Sequence, residues 1–495
     1  MKGMFNFGLL GIRRVFGGVM PPKPSIDKWV KEHMVFWYDM SKPVDTYAEN
    51  FNNWTKHSVN ADVVITSNSF TITRFVAAND VVKCYIPSGT KSFPGMKVTV
   101  KGLLEGQEMY WGYSADVKLI EITSDGTYDI PPLETVNGNL SFRNGNIVGA
   151  CNITITQLPS GQSVPTNDIL KANPYLQDHS GNNRPLKLNN FLFAGMSGVG
   201  GYQNEAFINK TDAINIKFDQ ITDRQIKGKP TQDNSGFGYY RIENMVKEIL
   251  YCNWHVEGIL DDNKVYFAQY TAYDNRVELH NGDNYIELDT NQGKVGYNFI
   301  SVISDQPYST DITITQIPEY PGALVTDGVD DYGQVQNLQQ GVKVLFYTCN
   351  PFSLNKIFYD QRKTTSATEA FFSIYNSDSK IAYNDRNTGG VTYIDGTINN
   401  LLLASNLLNV KHIITIVNDG ATESNTISPI YFSKNQRDSY FANLAFYNSI
   451  GFDSVPTQQT DGFTEQDLIT WVIDNMINGT PQSGVFPYVF PLKVN

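Results

Sequence analysis

The chain carries an internal repeat, and this repeat constrains the fold more than any other feature. Residues 153–159, Ile-Thr-Ile-Thr-Gln-Leu-Pro, recur at residues 312–318 as Ile-Thr-Ile-Thr-Gln-Ile-Pro, an offset of 159. Residues 100–104, Val-Lys-Gly-Leu-Leu, recur at residues 256–260 as Val-Glu-Gly-Ile-Leu, an offset of 156. Two matches with nearly equal offsets indicate that one structural unit is present twice.

The repeated segments alternate apolar and polar residues, which is the period of a half-buried β-strand. Further short runs of this kind surround each copy, and each copy ends in Gln-x-Pro, where proline stops strand pairing. We therefore predict that residues 51–161 and about 204–322 are two copies of one β-sandwich.

A second feature is the hexapeptide Asp327-Gly328-Val329-Asp330-Asp331-Tyr332. Its Asp-Gly pair favours the positive φ of a tight hairpin turn. Closely spaced short strands follow to about residue 447. Thr464 and Asp467 then form a capping box that predicts a helix from Glu465 to about Ile477. This layout predicts an all-β fold class with a single C-terminal helix.

The hexapeptide resembles a motif in the early strands of laminin-G/concanavalin-like jelly-roll domains. A second mark of that family, D-x-S-G-N, is present at Asp178 to Asn182. Because the two marks lie far apart, the resemblance implies a jelly roll split by the second repeat. The expected division is 1–50, an N-terminal docking segment with a short helix; 51–162, module 1; 163–203, a connector and first jelly-roll strand; 204–322, module 2; 323–478, the jelly roll with its helix; and 479–495, an extended tail.

Composition excludes several classes of function. The net charge of −12 and the lack of a basic cluster argue against a nucleic-acid partner. No apolar run reaches the 18 residues that a membrane-spanning helix needs. The four cysteines favour buried free thiols and assembly in a reducing cytoplasm, although a Cys84–Cys151 disulfide stays open.

The N-terminal residues 1–24 are glycine-rich, basic and apolar, and they end in a proline run. They form either a flexible tail or a peptide that docks on another protein, and we favour docking. The expected docking residues are the apolar and basic side chains Phe5, Phe7, Leu9, Leu10, Arg13 and Arg14. Ser25 is then expected to cap a short helix, Ile26 to Met34.

No catalytic motif is present, and we predict that the chain is not an enzyme. The H-E-x-x-H and G-x-S-x-G patterns are absent, and the six histidines are isolated in sequence. Some concanavalin-like glycosidases carry E-x-D-x-E on one strand. The nearest match, Glu287 to Asn291, lacks the last carboxylate and lies in the second repeat.

Adjacent carboxylates at Asp330 and Asp331 suggest a calcium site, because calcium binds oxygen ligands. The alternative, which we weighed more heavily, is that they shape a turn at the surface. Neighbouring side chains on a strand point to opposite faces, so only one of the two is expected to bind. Calcium is the only cofactor that the sequence suggests.

Glycan binding requires an aromatic side chain beside amide or carboxylate groups on an exposed face. The best candidates are Asp360, Arg362, Tyr375, Tyr383, Asn384 and Asp385. The alternative is that these tyrosines are core residues between Asn-Asp-Gly turns.

The complete pattern resembles LamG-like virion proteins of Bacteroides phages, including the crAss-like group. It is carried by Asp178 to Asn182, Met196 to Tyr202 and Asp327 to Tyr332. The resemblance implies a structural protein in a head or tail fibre or related appendage, assembled in the host cytoplasm and located on the virion. Expected partners are other capsid or tail proteins, further copies of the chain in a trimer, and host glycans. The alternative is a polysaccharide-binding or depolymerising protein.

Overall fold

The computed structural model describes residues 25–51, 54–57, 61–66, 68–76, 83–85, 91–113, 117–136, 140–202, 213–214, 216–222, 224–230, 238–242, 251–260, 263–270, 276–287, 297–304, 310–338, 341–353, 358–360, 371–374, 381–383, 391–398, 407–417, 428–433 and 441–478. The predicted docking residues Phe5, Phe7, Leu9, Leu10, Arg13 and Arg14 lie outside these ranges, as does the predicted tail 479–495.

Two antiparallel sheets form the domain to which the chain returns after each repeat, and we call it the two-sheet domain. Sheet A has the strand order Gly198–Val199, Leu324–Asp327, Asn443–Phe452, Val344–Pro351, His412–Val417, Val391–Ile394 and Thr397–Ile398, with Met34–Asp39 as a further partner of Asn443–Phe452. Sheet B has the order Tyr175–Leu176, Leu186–Asn189, Tyr332–Leu338, Ser428–Phe432, Tyr359–Asp360, Phe371–Ile374 and Ile381–Tyr383.

The two sheets enclose an aromatic and aliphatic core. Tyr347 and Phe446 of sheet A have ring centroids 5.3 Å apart, and Phe432 of sheet B lies 6.2 Å from Tyr347. Leu188 and Val335 of sheet B are buried in the same cluster. The strand Met34–Asp39 also contributes Phe36 and Tyr38 to this core. No local pattern in the sequence indicates that this strand pairs with Asn443–Phe452.

Helices cover the other face of sheet A. Helix α1 (Ile26–His33) places Trp29 against Phe452 and Phe463, and α3 (Glu465–Val472) buries Leu468 and Ile469 in the same cluster. A π-helical turn, Ile473–Ile477, continues α3. With both faces of sheet A covered, every residue of Val344–Pro351 is buried.

The helix starts agree with the sequence. Ser25 accepts a hydrogen bond from the Lys28 N–H, as expected for an N-cap. Thr464 and Asp467 form the predicted capping box at α3. Helix α1 ends one residue earlier than predicted, at His33, because Met34 begins the first strand of sheet A.

Both repeats fold into sandwiches built around a five-stranded antiparallel sheet. In module 1 the order is Gly126–Ile130, Met96–Lys101, Gly149–Gln157, Ser69–Phe75 and Ala61–Ile65. In module 2 it is Gly282–Glu287, Tyr251–Glu257, Ile312–Gln316, Gln225–Pro230 and Ile216–Thr222. Strands that occupy equivalent positions in the two sheets also occur in the same order along the sequence, so the two modules share one topology.

The facing sheets of the modules also correspond. In module 1 the order is Val117–Ile122, Met109–Tyr113 and Leu140–Asn144. Two further ladders pair Leu133–Val136 with Lys91–Phe93 and Thr55–His57 with Lys83–Tyr85. In module 2 the order, in the same direction, is Val277–Leu279, Asn263–Tyr270, Tyr297–Ser304, Gly238–Ile242 and Ala213–Ile214. Trp111 and Phe267 are buried at equivalent places.

The repeated sequence positions are in equivalent registers. Ile155 pairs with Val100 in module 1, and Ile314 pairs with Val256 in module 2. The predicted all-β fold class with duplicated sandwiches is therefore confirmed. Cys151 is a free thiol, so it forms no disulfide with Cys84.

Each module enters and leaves the two-sheet domain at neighbouring points. At module 1, Gly161–Ser163 pairs with Val44–Thr46. At module 2, the N–H groups of Glu319 and Tyr320 donate to the carbonyl oxygens of Gly201 and Gly200, at 2.9 and 2.8 Å. Helix α2 (Asn167–Ala172) follows module 1, before the chain enters sheet B.

Candidate functional site

The hexapeptide Asp327 to Tyr332 is the crossover between the two sheets. Asp327 ends a strand of sheet A, and Tyr332 begins a strand of sheet B. Gly328 has the predicted positive φ, 77°, and a Cβ atom there would lie 2.7 Å from the Cβ of Asn443. The expectation of a hairpin was wrong, because the strands on either side pair in different sheets.

Asp327 shapes the first part of the crossover. Its Oδ1 accepts hydrogen bonds from the N–H groups of Val329 and Asp330, at 2.8 and 3.4 Å. An aspartate that accepts from the backbone two residues on stabilises a turn without a regular hydrogen-bond ladder. This arrangement leaves Val329 70% exposed.

Asp331 is a fully buried carboxylate in the same turn. Its Oδ2 accepts from the Asp327 N–H at 3.1 Å, whereas its Oδ1 is buried with no hydrogen-bond partner in the described part of the chain. Burial raises the pKa of Asp331 to about 7, and the charges of Asp327 and Asp330 act in the same direction. The Ser197 hydroxyl and the Asp327 N–H lower this pKa, but their effect is smaller than that of burial.

The crossover brings three carboxylates together. Asp327, Asp330 and Asp331 each offer an oxygen, and these oxygens all lie within 4.8 Å of one another. The expectation that only one of Asp330 and Asp331 could serve a site assumed a regular strand. Both residues precede the strand that begins at Tyr332, so their side chains do not have to alternate. Asp327 was not among the predicted ligands.

A second loop lies against the crossover. Asn190 donates from Nδ2 to the Asp330 carbonyl oxygen at 3.1 Å, and the Leu192 N–H donates to Ser197 Oγ at 2.9 Å. Asn190 and Phe193 have φ values of 66° and 52°, which are unusual for residues other than glycine. Leu192 is 68% exposed, so apolar side chains project from both loops.

The D-x-S-G-N segment has a structural role. Asp178 accepts three backbone hydrogen bonds of 3.0 Å, from the N–H groups of Trp37, Ser180 and Arg184. Asn182 donates from Nδ2 to the Met34 carbonyl oxygen at 2.7 Å. The segment therefore fastens the strand Met34–Asp39 to the beginning of sheet B.

Little of the predicted glycan site lies in the described part of the chain. Asp360 is fully buried in the strand Tyr359–Asp360, which does not meet the requirement for an exposed acceptor. Tyr383 ends the strand Ile381–Tyr383. Arg362, Tyr375, Asn384 and Asp385 lie outside the described ranges.

Some of the histidines that are isolated in sequence have carboxylate partners in the fold. His33 Nδ1 lies 2.9 Å from Asp453 Oδ1, and His412 Nδ1 lies 2.8 Å from Asp395 Oδ2. His412 also lies opposite Cys349 in sheet A. Burial raises the pKa of the Cys349 thiol well above its usual value, which disfavours the thiolate form.

No protein-family model matches the chain, and no curated protein sequence shows significant similarity to it. Among the described residues, no helix is long and apolar enough to cross a membrane.

Proposed function

We propose that this chain is a structural protein of a bacteriophage particle, displayed on the surface as part of a fibre or related appendage. The observation that carries the proposal is the duplication of one sandwich within a single two-sheet domain. Module 2 is joined to that domain through adjacent chain ends, Gly200–Gly201 and Glu319–Tyr320. Insertion through two neighbouring connections restricts the motion of a module more than one linker does, which suits a protein that presents folded modules.

The sequence resemblance supports the same role. Its three segments, Asp178 to Asn182, Met196 to Tyr202 and Asp327 to Tyr332, all belong to the two-sheet domain or its direct connections. The segments thus mark one domain and the place where module 2 enters it. A carrier domain with inserted modules suits the proposed appendage.

Attachment to the particle is assigned to residues 1–24. Phe5, Phe7, Leu9 and Leu10 provide apolar contact area, and Arg13 and Arg14 provide charge. Capsid or tail proteins are the proposed partners, and a homotrimer is the proposed assembly.

The test is to delete residues 1–24 from the chain in the phage that encodes it. We expect a folded, soluble protein that no longer enters particles, as measured by immunoblotting and antibody labelling of purified virions. The variant Asp62→Asn, at an exposed position of module 1, is the control and should enter particles normally. Undiminished incorporation of the deletion variant would refute the docking role.

Adhesion to host glycans is the second part of the proposal, carried by the two-sheet domain. A glycan array probed with the full-length chain tests it. Binding at millimolar affinity or better supports adhesion, and no binding makes the domain a scaffold. Turnover of a bacterial capsule that disappears on substitution of a carboxylate pair would instead make the chain a depolymerase.

A further inference from the structure

We propose that protonation of His179 weakens the contact between the strand Met34–Asp39 and residues 178–182, and so gives the two-sheet domain an acid-sensitive joint. The contact lies where the chain passes from sheet A towards module 1, because the strand Val44–Thr46, which pairs with Gly161–Ser163, follows shortly after Asp39. This inference goes beyond the proposed function and does not depend on it.

His179 is part of the contact through both its backbone and its ring. The His179 N–H donates to the Trp37 carbonyl oxygen at 2.8 Å, and the Trp37 N–H donates to Asp178 Oδ1 at 3.0 Å. The imidazole of His179 packs edge-on against the Trp37 indole, with ring centroids 5.9 Å apart and ring planes at 69°. A change in the charge of this imidazole therefore acts directly on the contact.

A buried ring nitrogen makes the charged form of His179 unfavourable. His179 Nε2 is buried with no hydrogen-bond partner in the part of the chain that the structure describes. A neutral imidazole carries one N–H, which can be on Nδ1, whereas an imidazolium carries an N–H on both nitrogens. Protonation thus places a donor at Nε2, where the described residues provide no acceptor, and a buried donor without an acceptor is costly.

Asp39 is the carboxylate best able to offset this cost. It has the largest effect of the charged groups that face His179, and it favours the protonated form. Asp39 Oδ1 already accepts hydrogen bonds from the N–H and the hydroxyl of Ser41, at 2.8 and 2.6 Å. Its Oδ2 is buried and, like His179 Nε2, has no hydrogen-bond partner among the described residues. The attraction between Asp39 and a protonated His179 thus acts without a hydrogen bond.

Three further charged groups face His179. Lys42 opposes protonation, whereas Asp178 and Asp45 favour it. Asp178 already accepts three backbone N–H groups, and Asp45 Oδ1 accepts from Gln162 Nε2 at 3.0 Å. The Lys42 ammonium group lies 5.0 Å from the centroid of the Trp37 ring, so a cation is already present beside the ring that His179 contacts.

The direction of the pH effect follows from these interactions. Burial is the largest influence on the pKa of His179 and lowers it below 6.5, although Asp39, Asp178 and Asp45 act in the opposite direction. A histidine with a lowered pKa in the folded state contributes stability above pH 6.5 that is lost as the pH falls through the folded pKa. The contact should therefore be intact at neutral pH and weaker in acid.

The experiment is hydrogen exchange of the full-length chain at pH 5.0 and pH 7.5, with the rate of the Trp37 amide corrected for its intrinsic pH dependence. We expect the protection of this amide to be roughly threefold to tenfold lower at pH 5.0, because a pKa lowered by one weakens the contact by at most about tenfold. His179→Phe keeps an aromatic ring against Trp37 but cannot be protonated, so its protection should be equal at the two pH values. His280→Asn removes an exposed histidine of module 2 and should respond as the wild-type chain does.

A second measurement keeps the test decisive if His179→Phe fails to fold. NMR titration of the His179 imidazole in the wild-type chain should give a pKa below 6.5, and Lys42→Gln should raise that pKa because the ammonium group opposes protonation. A wild-type pKa of 6.5 or above would show that attraction to the carboxylates outweighs burial, and it would overturn the proposal. Loss of Trp37 protection in acid that persists in a folded His179→Phe variant would overturn it as well.

Discussion

Gly258 lies so close to Asp311 that a Cβ atom on the glycine would be 2.2 Å from the Asp311 carbonyl oxygen. The equivalent pair in module 1 is Gly102 and Asn152, where the corresponding distance is 2.0 Å. Both glycines have positive φ, 90° and 96°. The repeated Val-x-Gly motif thus exists because the backbones of two strands approach closely at the same point in each module.

Substitution of this glycine should destabilise the module strongly. Gly258→Ala combines the cost of a positive φ with a backbone clash, and we expect a loss of at least about 3 kcal/mol. Gly282→Ala is the control, because Gly282 has a φ of 98° but no atom within 4 Å of the added Cβ. Its expected cost is about 1–2 kcal/mol. Urea denaturation of both variants measures the difference, and equal losses would contradict the close-approach argument.

Removing the carboxylate charge of Asp178 should weaken the attachment of the strand Met34–Asp39 to the segment that contains Asp178. Three backbone N–H groups donate to this carboxylate, so Asp178→Asn should lower the free energy of unfolding by roughly 2–4 kcal/mol. Hydrogen exchange of the Trp37 amide should accelerate. Asp168→Asn, in the exposed first turn of α2, is the control and should change neither quantity appreciably. Unchanged protection of Trp37 would show that Asp178 does not hold the strand.

The contact between Tyr393 and Glu465 should attach α3 to sheet A. The Tyr393 hydroxyl donates to Glu465 Oε1, and the Tyr393 side chain is buried under the helix. Tyr393→Phe should cost about 1–3 kcal/mol, because the acceptor is charged. Glu465→Gln keeps an acceptor oxygen and should cost less. Thermal denaturation ranks the two variants, and the reverse order would contradict this role.

His255 should make module 2 sensitive to pH. Its Nδ1 lies 2.5 Å from Asp283 Oδ1 and its Nε2 lies 3.4 Å from Glu257 Oε1, so both ring nitrogens face carboxylates. The hydrogen bond that His255 donates to Asp283 is the largest cause that raises the pKa of His255 above 6.5, and Glu257 adds to it. Folding therefore favours the protonated form of His255.

The direction of the effect follows from this raised pKa. The stabilisation should be fully present below pH 6.5 and should be lost as the pH rises through the higher pKa of the folded state. His255→Asn should abolish that part of the pH dependence, as measured by urea denaturation between pH 5.5 and 8.5. NMR titration of His255 should show a lower pKa in Asp283→Asn. A pKa of 6.5 or below in the wild-type protein would contradict the interpretation.

Local patterns allowed the modules to be predicted, whereas contacts between distant segments were missed. The alternation of Ile153 to Thr156 and the repeated Gly102 depend on neighbouring residues, so they are visible in the sequence. The pairing of Met34–Asp39 with Asn443–Phe452 joins segments from opposite ends of the chain and has no local signal. The proximity of Asp327 to Asp331 was missed because it depends on a crossover between sheets rather than a hairpin.

The place of Met34–Asp39 in sheet A has a consequence for biosynthesis. The contact between His33 and Asp453 spans 420 residues. The strand Met34–Asp39 therefore cannot pair with Asn443–Phe452 until the residues between them have been synthesised. Both inserted modules are complete by then, and each pairs strands over much shorter separations. Contacts at long sequence separation form slowly. We expect the modules to fold during translation, and the domain that carries them to close last, after the strand Asn443–Phe452 has been synthesised.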